Sequence, residues 1–193
     1  MTASWMDINK PPSPATAVTA AQVANGPIFP PQQRLLTYSP DEWEGFVEEW
    51  AYYCLTTKYE HVLRFSGAGD MGIDVAGFVG DERLLGVWDN FQCKHYGNAI
   101  RPSDVWVEFG KIIWYSYKGE YTVPRRYYFV SPRGAGTSLS RLFSNDTKLR
   151  EELLANWDKH VKNAITSTQE VLLDAKLRAY VDSFCLLYTS PSP

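Results

Sequence analysis

The chain has 193 residues, 45% of them hydrophobic, and a formal charge of −3 at neutral pH. That supports one ordinary core with appendages, and no run of 18 apolar residues is present to span a bilayer. The N-terminus lacks the basic-then-apolar pattern of a secretory leader. Cysteines at 54, 93 and 185 have neither metal spacing nor even pairing, as expected in a reducing cytosol.

In chain order, residues 1–38 are rich in Pro, Ala and Thr and read as a disordered lead-in. Order is expected from Ser39-Pro40-Asp41-Glu42, a capping box with proline at the first helical position. Trp43, Phe46, Val47, Trp50 and Cys54 then recur at helical spacing, predicting an amphipathic helix to about Leu55. Its apolar stripe centres near Val47 and Cys54, with Glu44 beside the stripe, Glu48 farther out and Glu49 on the opposite flank.

Residues 61–65 form a short apolar strand, and a glycine-rich turn leads into a second strand over 73–79. A third covers 86–96, with Gly80-Asp81 in the connection between them. Ser103 or Asp104 can cap a helix reaching Tyr117 that is hydrophobic on too many sides to be exposed. Residues 126–131 read as a buried strand, ended by Pro132 and Gly134. The run Gly134 to Ser138 offers backbone amides to a phosphate but lacks a lysine at P-loop spacing, which disfavours nucleotide hydrolysis.

Two helices are expected over 147–165 and 169–181. The order helix, three strands, helix, strand defines an α/β class. Residues 185–193 fit neither late helix and resemble a translated sequencing adapter. The expectation is a truncated chain that continues differently after Phe184, with no functional weight on Cys185.

Asp74 carries the chemistry of this pattern. It sits between Ile73 and Val75, where a buried carboxylate is costly unless paired or metal-bound. The plain alternative is an aspartate capping the turn, which is the role expected of Asp70. Eighteen residues after Asp74, Gln92 and Lys94 are two apart, hence on one face of a strand, while Cys93 faces the other way into the core. A carboxylate, an amide oxygen and an ammonium are the minimum equipment of a divalent-metal phosphodiesterase. Because Gln92 is neutral, another acid must supply charge. Glu44 is the helix residue placed to do so, the alternative being a solvated glutamate.

Residues 39–93 hold three Lys or Arg against eleven Asp or Glu, a net of −8. Residues 94–141 hold eight against three, a net of +5, which suits a metal site beside a phosphate-contacting surface or else a patchy solvated one. Arg125, Arg126, Arg133 and Arg141 are the candidate phosphate contacts. His95 can touch DNA or act as a base, or be an ordinary edge histidine.

The order Asp74, Gln92-x-Lys94 resembles the signature of the PD-(D/E)xK nuclease superfamily, in the glutamine-bearing form of Mrr-like restriction endonucleases. Residues 67–77 followed by Gln92-Cys93-Lys94-His95-Tyr96 are similar to N-terminal nuclease domains of ABC-three-component bacterial defence proteins. The likeness covers about residues 39–143, with Gln92 where the pattern has an acid and no proline before Asp74.

It implies a restriction-endonuclease-like α-β-β-β-α-β core over 39–145, a mixed central sheet flanked by helices, and a helical extension over 146–184. It also implies a cytoplasmic, bacterial, Mg²⁺-dependent DNA endonuclease in which Mn²⁺ substitutes. Asp74, Gln92 and Glu44 would hold the metal and Lys94 would stabilise charge. Expected partners are DNA and either a second copy or other defence subunits, including an ATPase, with no membrane. Two rivals stay open: an inactive nuclease-like module that binds nucleic acid or a partner, and a Holliday-junction resolvase.

Overall fold

Ser39 starts the first long helix, α1 (Pro40–Cys54). Its hydroxyl accepts from the Glu42 amide at 3.2 Å, and the Glu42 carboxylate accepts from the Ser39 amide at 2.7 Å. Trp43, Val47 and Ala51, four residues apart, form its buried face. The computed structural model describes residue 24, residues 30–67 and residues 69–184. The rest of the expected lead-in, Ala68, and the terminal segment with Cys185 lie outside the described residues.

The chain divides into units Met1–Arg34 and Leu35–Pro193. The larger unit begins before the expected start at residue 39. Leu35 and Tyr38 pack against the apolar cluster under α1, and the Tyr38 ring lies 6.0 Å from Phe46. These two large apolar side chains give the segment enough burial to order.

Four strands follow in one sheet: β1 (His61–Arg64), β2 (Val75–Phe78), β3 (Trp88–Cys93) and β4 (Arg126–Val130). The spatial order is β1-β2-β3-β4, with the first two pairings antiparallel and β3–β4 parallel. A parallel neighbour requires a crossover, supplied here by α2 (Trp106–Tyr117). The protein is therefore of α/β class, with a mixed four-stranded sheet flanked by helices, in the element order the periodicity predicts. Strands β2 and β3 are shorter than expected, because the Ile73 amide is already committed to the Asp70 carbonyl at 2.9 Å. The β2–β3 connection closes only where the Val79 amide meets the Val87 carbonyl at 3.0 Å.

Alternation divides the sheet. Val75, Phe91 and Cys93 face α1, whereas Ala76, Phe78, Trp88 and Tyr127 face α2. Asp89, on the α1 side, is 1% exposed and accepts from the Tyr59 hydroxyl at 2.7 Å and from Arg125 Nε and Nη2 at 2.9 and 2.7 Å.

Residues 146–184, expected as a helical extension, fall in the same compact unit as the sheet. Helices α3 (Thr137–Phe143), α4 (Asp146–Asn156) and α5 (Ala175–Ser183), with a π-helical turn Trp157–Val161 after α4, contribute to the same core as the sheet. Leu149, Leu153, Trp157, Val161, Ile165, Leu177 and Val181 are all buried in the cluster that holds Phe109 and Ile113 of α2. They cover the apolar surface of α2 that the sheet does not reach.

The expected helix over 169–181 begins only at Ala175, where the Asp174 carboxylate caps it by accepting from the Leu177 amide at 2.8 Å. The residues before it serve the core in another way, with the Val171 carbonyl accepting from the buried Trp157 indole at 2.9 Å.

Gly110 marks a close approach of α2 to this segment. A Cβ there would lie 2.2 Å from Val161 Cγ1 and 3.2 Å from Ile165 Cδ1. Gly110→Ala is expected to overpack the site by about 1–3 kcal/mol, lowering the thermal midpoint by at least about 2–4 °C. An unchanged midpoint would mean that the late segment does not pack on α2.

Candidate active site

The turn before β2 aims Asp74. The Asp70 carboxylate accepts from the Gly72 amide at 2.9 Å, an Asx turn that closes the loop. Met71 and Gly72 take left-handed backbone angles, φ 52° and 79°, and the Tyr121 hydroxyl fixes the Met71 carbonyl at 3.0 Å. Gly72 must be glycine for two reasons. Its φ is positive, and a Cβ would lie 2.7 Å from the Lys111 side chain of α2.

Asp74 emerges from this turn half-buried and clamped to β3. Its Oδ2 accepts from the Gln92 amide Nε2 at 2.6 Å and from the Cys93 backbone N–H at 2.7 Å. Among the described residues, Oδ1 makes no hydrogen bond. Burial pushes this carboxyl up to about 6, helped by the nearby Glu108 and Glu44 charges and opposed by the Cys93 N–H and Lys94.

Gln92 Oε1 in turn accepts from the buried Tyr127 hydroxyl at 3.0 Å. In this orientation, Gln92 shows Asp74 its nitrogen. Turned by half a rotation, the amide would present its oxygen beside Asp74 while the Tyr127 hydroxyl accepts from Nε2.

Lys94, buried at the end of β3, pairs with a carboxylate that sequence reasoning misses. Its Nζ is 2.5 Å from Glu108 Oε1 on α2, and the two side chains are 10% and 13% exposed. Burial opposes the ammonium charge, but Glu108 more than offsets that and holds Lys94 above its ordinary value. The other Glu108 oxygen, Oε2, is buried without a hydrogen bond, 3.8 Å from Lys111 Nζ. A lone acid between Val107 and Phe109 on a largely apolar helix was the available signal, since such a group needs a partner.

Glu44 approaches from the α1 side. It acts electrostatically on Asp74, but its closest cation is Arg64, with Nε 3.5 Å from Oε2. Burial raises its own value and Arg64 opposes the rise. Cys93 lies in the α1-side core, where burial pushes its thiol well up.

The proposed nucleic-acid contacts fare unevenly. Arg125 is committed to the buried Asp89 carboxylate through two donors, and His95 Nε2 donates to the Leu35 carbonyl at 2.8 Å beside Trp43. Both side chains are engaged by acceptors within the fold. Arg126, Arg133 and Arg141 are all exposed. The Gly136 amide is used by the Ile100 carbonyl at 2.9 Å, which removes one donor from the expected phosphate loop.

Among the described residues, the group of three His, Cys, Asp or Glu ligand atoms within 4.8 Å of one another is Glu60, His61 and Asp81. It lies at the opposite end of the β1–β2 ladder from Asp74, and both its acids are exposed. The acids around Asp74 are farther apart. They offer hard oxygens, among them Asp74 Oδ1 and Glu108 Oε2 with no hydrogen bonds, and one or two carboxylates plus waters are the usual Mg²⁺ complement. A cleft of about 720 Å³ opens beside the glycine turn, lined by Asp70, Gly72, Lys111, Trp114 and Lys118 among others.

Comparison with protein-family models, curated proteins and solved structures finds no match to this chain.

The raised Asp74 value has a consequence for stability. The folded protein holds this proton more tightly than the unfolded chain, whose value is near 3.8. Its stabilising contribution is therefore full below about pH 4 and lost as pH rises through about 6. Asp74→Asn should cost little near pH 4 and gain about 1–3 kcal/mol on the parent at pH 8, after allowance for partial exposure. Thermal melts of both proteins across that range check this, and parallel curves would count against a strained carboxylate.

Proposed function

We propose that this protein is a metal-dependent endonuclease acting on DNA. The observation that carries the reading is the meeting of Asp74 with β3. Its carboxylate accepts from Gln92 at 2.6 Å and from the Cys93 amide at 2.7 Å, and Lys94 projects from the next position of that strand. The helix-strand-strand-strand-helix-strand order around them supports the resemblance to restriction-endonuclease-like cores.

Asp74 and Gln92 would hold Mg²⁺ together with a second carboxylate, for which the sequence offers Glu44. The bound cation would polarise a water and the phosphoryl oxygens. The protein's own groups do the rest. The turn at Met71 and Gly72 fixes the carboxylate in place, and the Lys94 ammonium opposes the negative charge that builds on the phosphoryl oxygens. In the reaction, a water oxygen bonds to phosphorus and one P–O ester bond breaks. The leaving alkoxide takes up a proton, and the water's proton goes to solvent.

The cleft beside Lys111 is lined by Asp70, Met71 and Gly72 of the turn that aims Asp74, together with Lys111 and Lys118, and the exposed Arg126 and Arg133 offer phosphate contacts. On the same reading, the cellular setting is a cytoplasmic bacterial defence assembly that includes an ATPase.

One observation favours an inactive binding module: Lys94 is held by Glu108 at 2.5 Å rather than left free for a phosphate. Supercoiled plasmid incubated with the purified chain separates the two. Nicking or linearisation that requires Mg²⁺ and stops with EDTA is expected of the nuclease, whereas plasmid binding without cutting under all metal conditions identifies the module.

A further inference from the structure

The nuclease reading leaves one deficit, since Gln92 is neutral and Asp74 alone brings a single charge. Two acids lie near enough to act on Asp74: Glu44 from α1 and Glu108 from α2. Their surroundings differ. Glu44 is compensated by Arg64, which also bonds Asp41, so its charge is already spent on the α1 surface. Glu108 sits on the α2 side of the sheet, the side to which Gln92 also turns, as its bond to Tyr127 shows. Its Oε2 is buried with a lone pair that no donor satisfies, an arrangement that costs free energy unless a ligand completes it. Its Oε1 is held by Lys94, the same ammonium that the reaction needs elsewhere.

We propose that Glu108 is the second carboxylate of the metal site, and that Lys94 occupies it as a latch until a divalent cation takes the ammonium's place. Release then does two things at once. It frees the Glu108 oxygens for the cation, and it turns the Lys94 ammonium toward the incoming phosphate. Lys111, whose chain packs on Gly72 and whose Nζ is 3.8 Å from Glu108 Oε2, holds the glutamate against the glycine turn. Metal binding and lysine delivery become one event, so a protein without a cation also lacks a positioned ammonium.

The inference rests on the nuclease reading for the cation's purpose, but its test is made without DNA. Calorimetric titration of Mn²⁺ alone into the full chain should show one site, lost in Asp74→Asn. Glu108→Gln should weaken it by about tenfold or more, Glu108→Asp should keep most of the affinity, and Glu44→Gln should change it by less than about threefold. If Glu108→Gln does not fold, Lys94→Met/Glu108→Gln is compared with Lys94→Met, and the same tenfold loss is expected.

Affinity unchanged by Glu108→Gln, or lost in Glu44→Gln instead, overturns the proposal and leaves the nuclease reading standing. Glu108-dependent binding without plasmid cleavage supports the proposal and sinks the nuclease. A chain that binds no Mn²⁺ overturns both.

Discussion

Asp74→Ala should lower Mg²⁺-dependent plasmid cleavage by at least about a hundredfold while leaving the fold intact. The side chain is half-buried at a strand end, and its removal deletes an acceptor for the Gln92 amide and Cys93 N–H rather than any apolar packing. The strain of its raised titration disappears with it, so the variant should melt no lower than the parent at neutral pH. EDTA should reproduce its loss of activity.

Lys94→Ala should lose cleavage to a similar extent for a different reason. With the ammonium gone, Glu108 is unlatched, so Mn²⁺ affinity should hold or rise while cutting fails. Cleavage at parental rates by either variant would remove the nuclease assignment. A loss of Mn²⁺ binding in Lys94→Ala would instead make the lysine a structural prop of the site.

The second large effect is on folding. Arg125→Met should cost about 3–5 kcal/mol, because it leaves Asp89, 1% exposed, as an uncompensated buried charge with only the Tyr59 hydroxyl for company. For a chain of this length that corresponds to a fall of about 6–20 °C in the thermal midpoint. Arg126→Met, one residue on and exposed, should move it by little. Adding Asp89→Leu to Arg125→Met should recover part of the loss, since an apolar pair of similar volume replaces a broken ionic one. If Arg125 were a phosphate contact and nothing more, the single variant would melt normally and bind DNA less well.

These residues show what a chain of letters does and does not reveal. Ser39 to Glu42 and the alternation of β3 are local patterns that appear in the structure as expected, whereas the stripe of α1 runs through Trp43, Val47 and Ala51 and leaves Cys54, expected near its centre, exposed at the helix end. Gln92 and Lys94 were legible because a two-residue period fixes which face a side chain takes. The partners were not legible, because they are set by tertiary contacts between distant segments. Glu108 lies 14 residues beyond Lys94, yet meets it only because α2 crosses back over the sheet. Charge type alone pointed Arg125 and His95 toward DNA. In the structure they meet a buried carboxylate on β3 and the carbonyl of Leu35, neither of which marks its need in sequence.

How residues 146–184 are used was hard to read for a related reason. The apolar spacing of Leu149, Leu153, Trp157 and Val161 announces a buried face without naming the surface that buries it. The excess hydrophobicity of α2 was the matching half of that clue.

That shared burial bears on the order in which the chain leaves the ribosome. The entire sheet, and every residue proposed to hold the metal, has been made once Val130 is added. The outer surface of α2 must nevertheless wait for residues 149–184 to arrive. During that interval Gly110, Ile113 and their neighbours form an open greasy face on a nearly complete domain, the kind of intermediate that chaperones capture and that aggregates when they do not. Clipping the late segment from the finished protein would recreate that face and leave the remainder prone to aggregate.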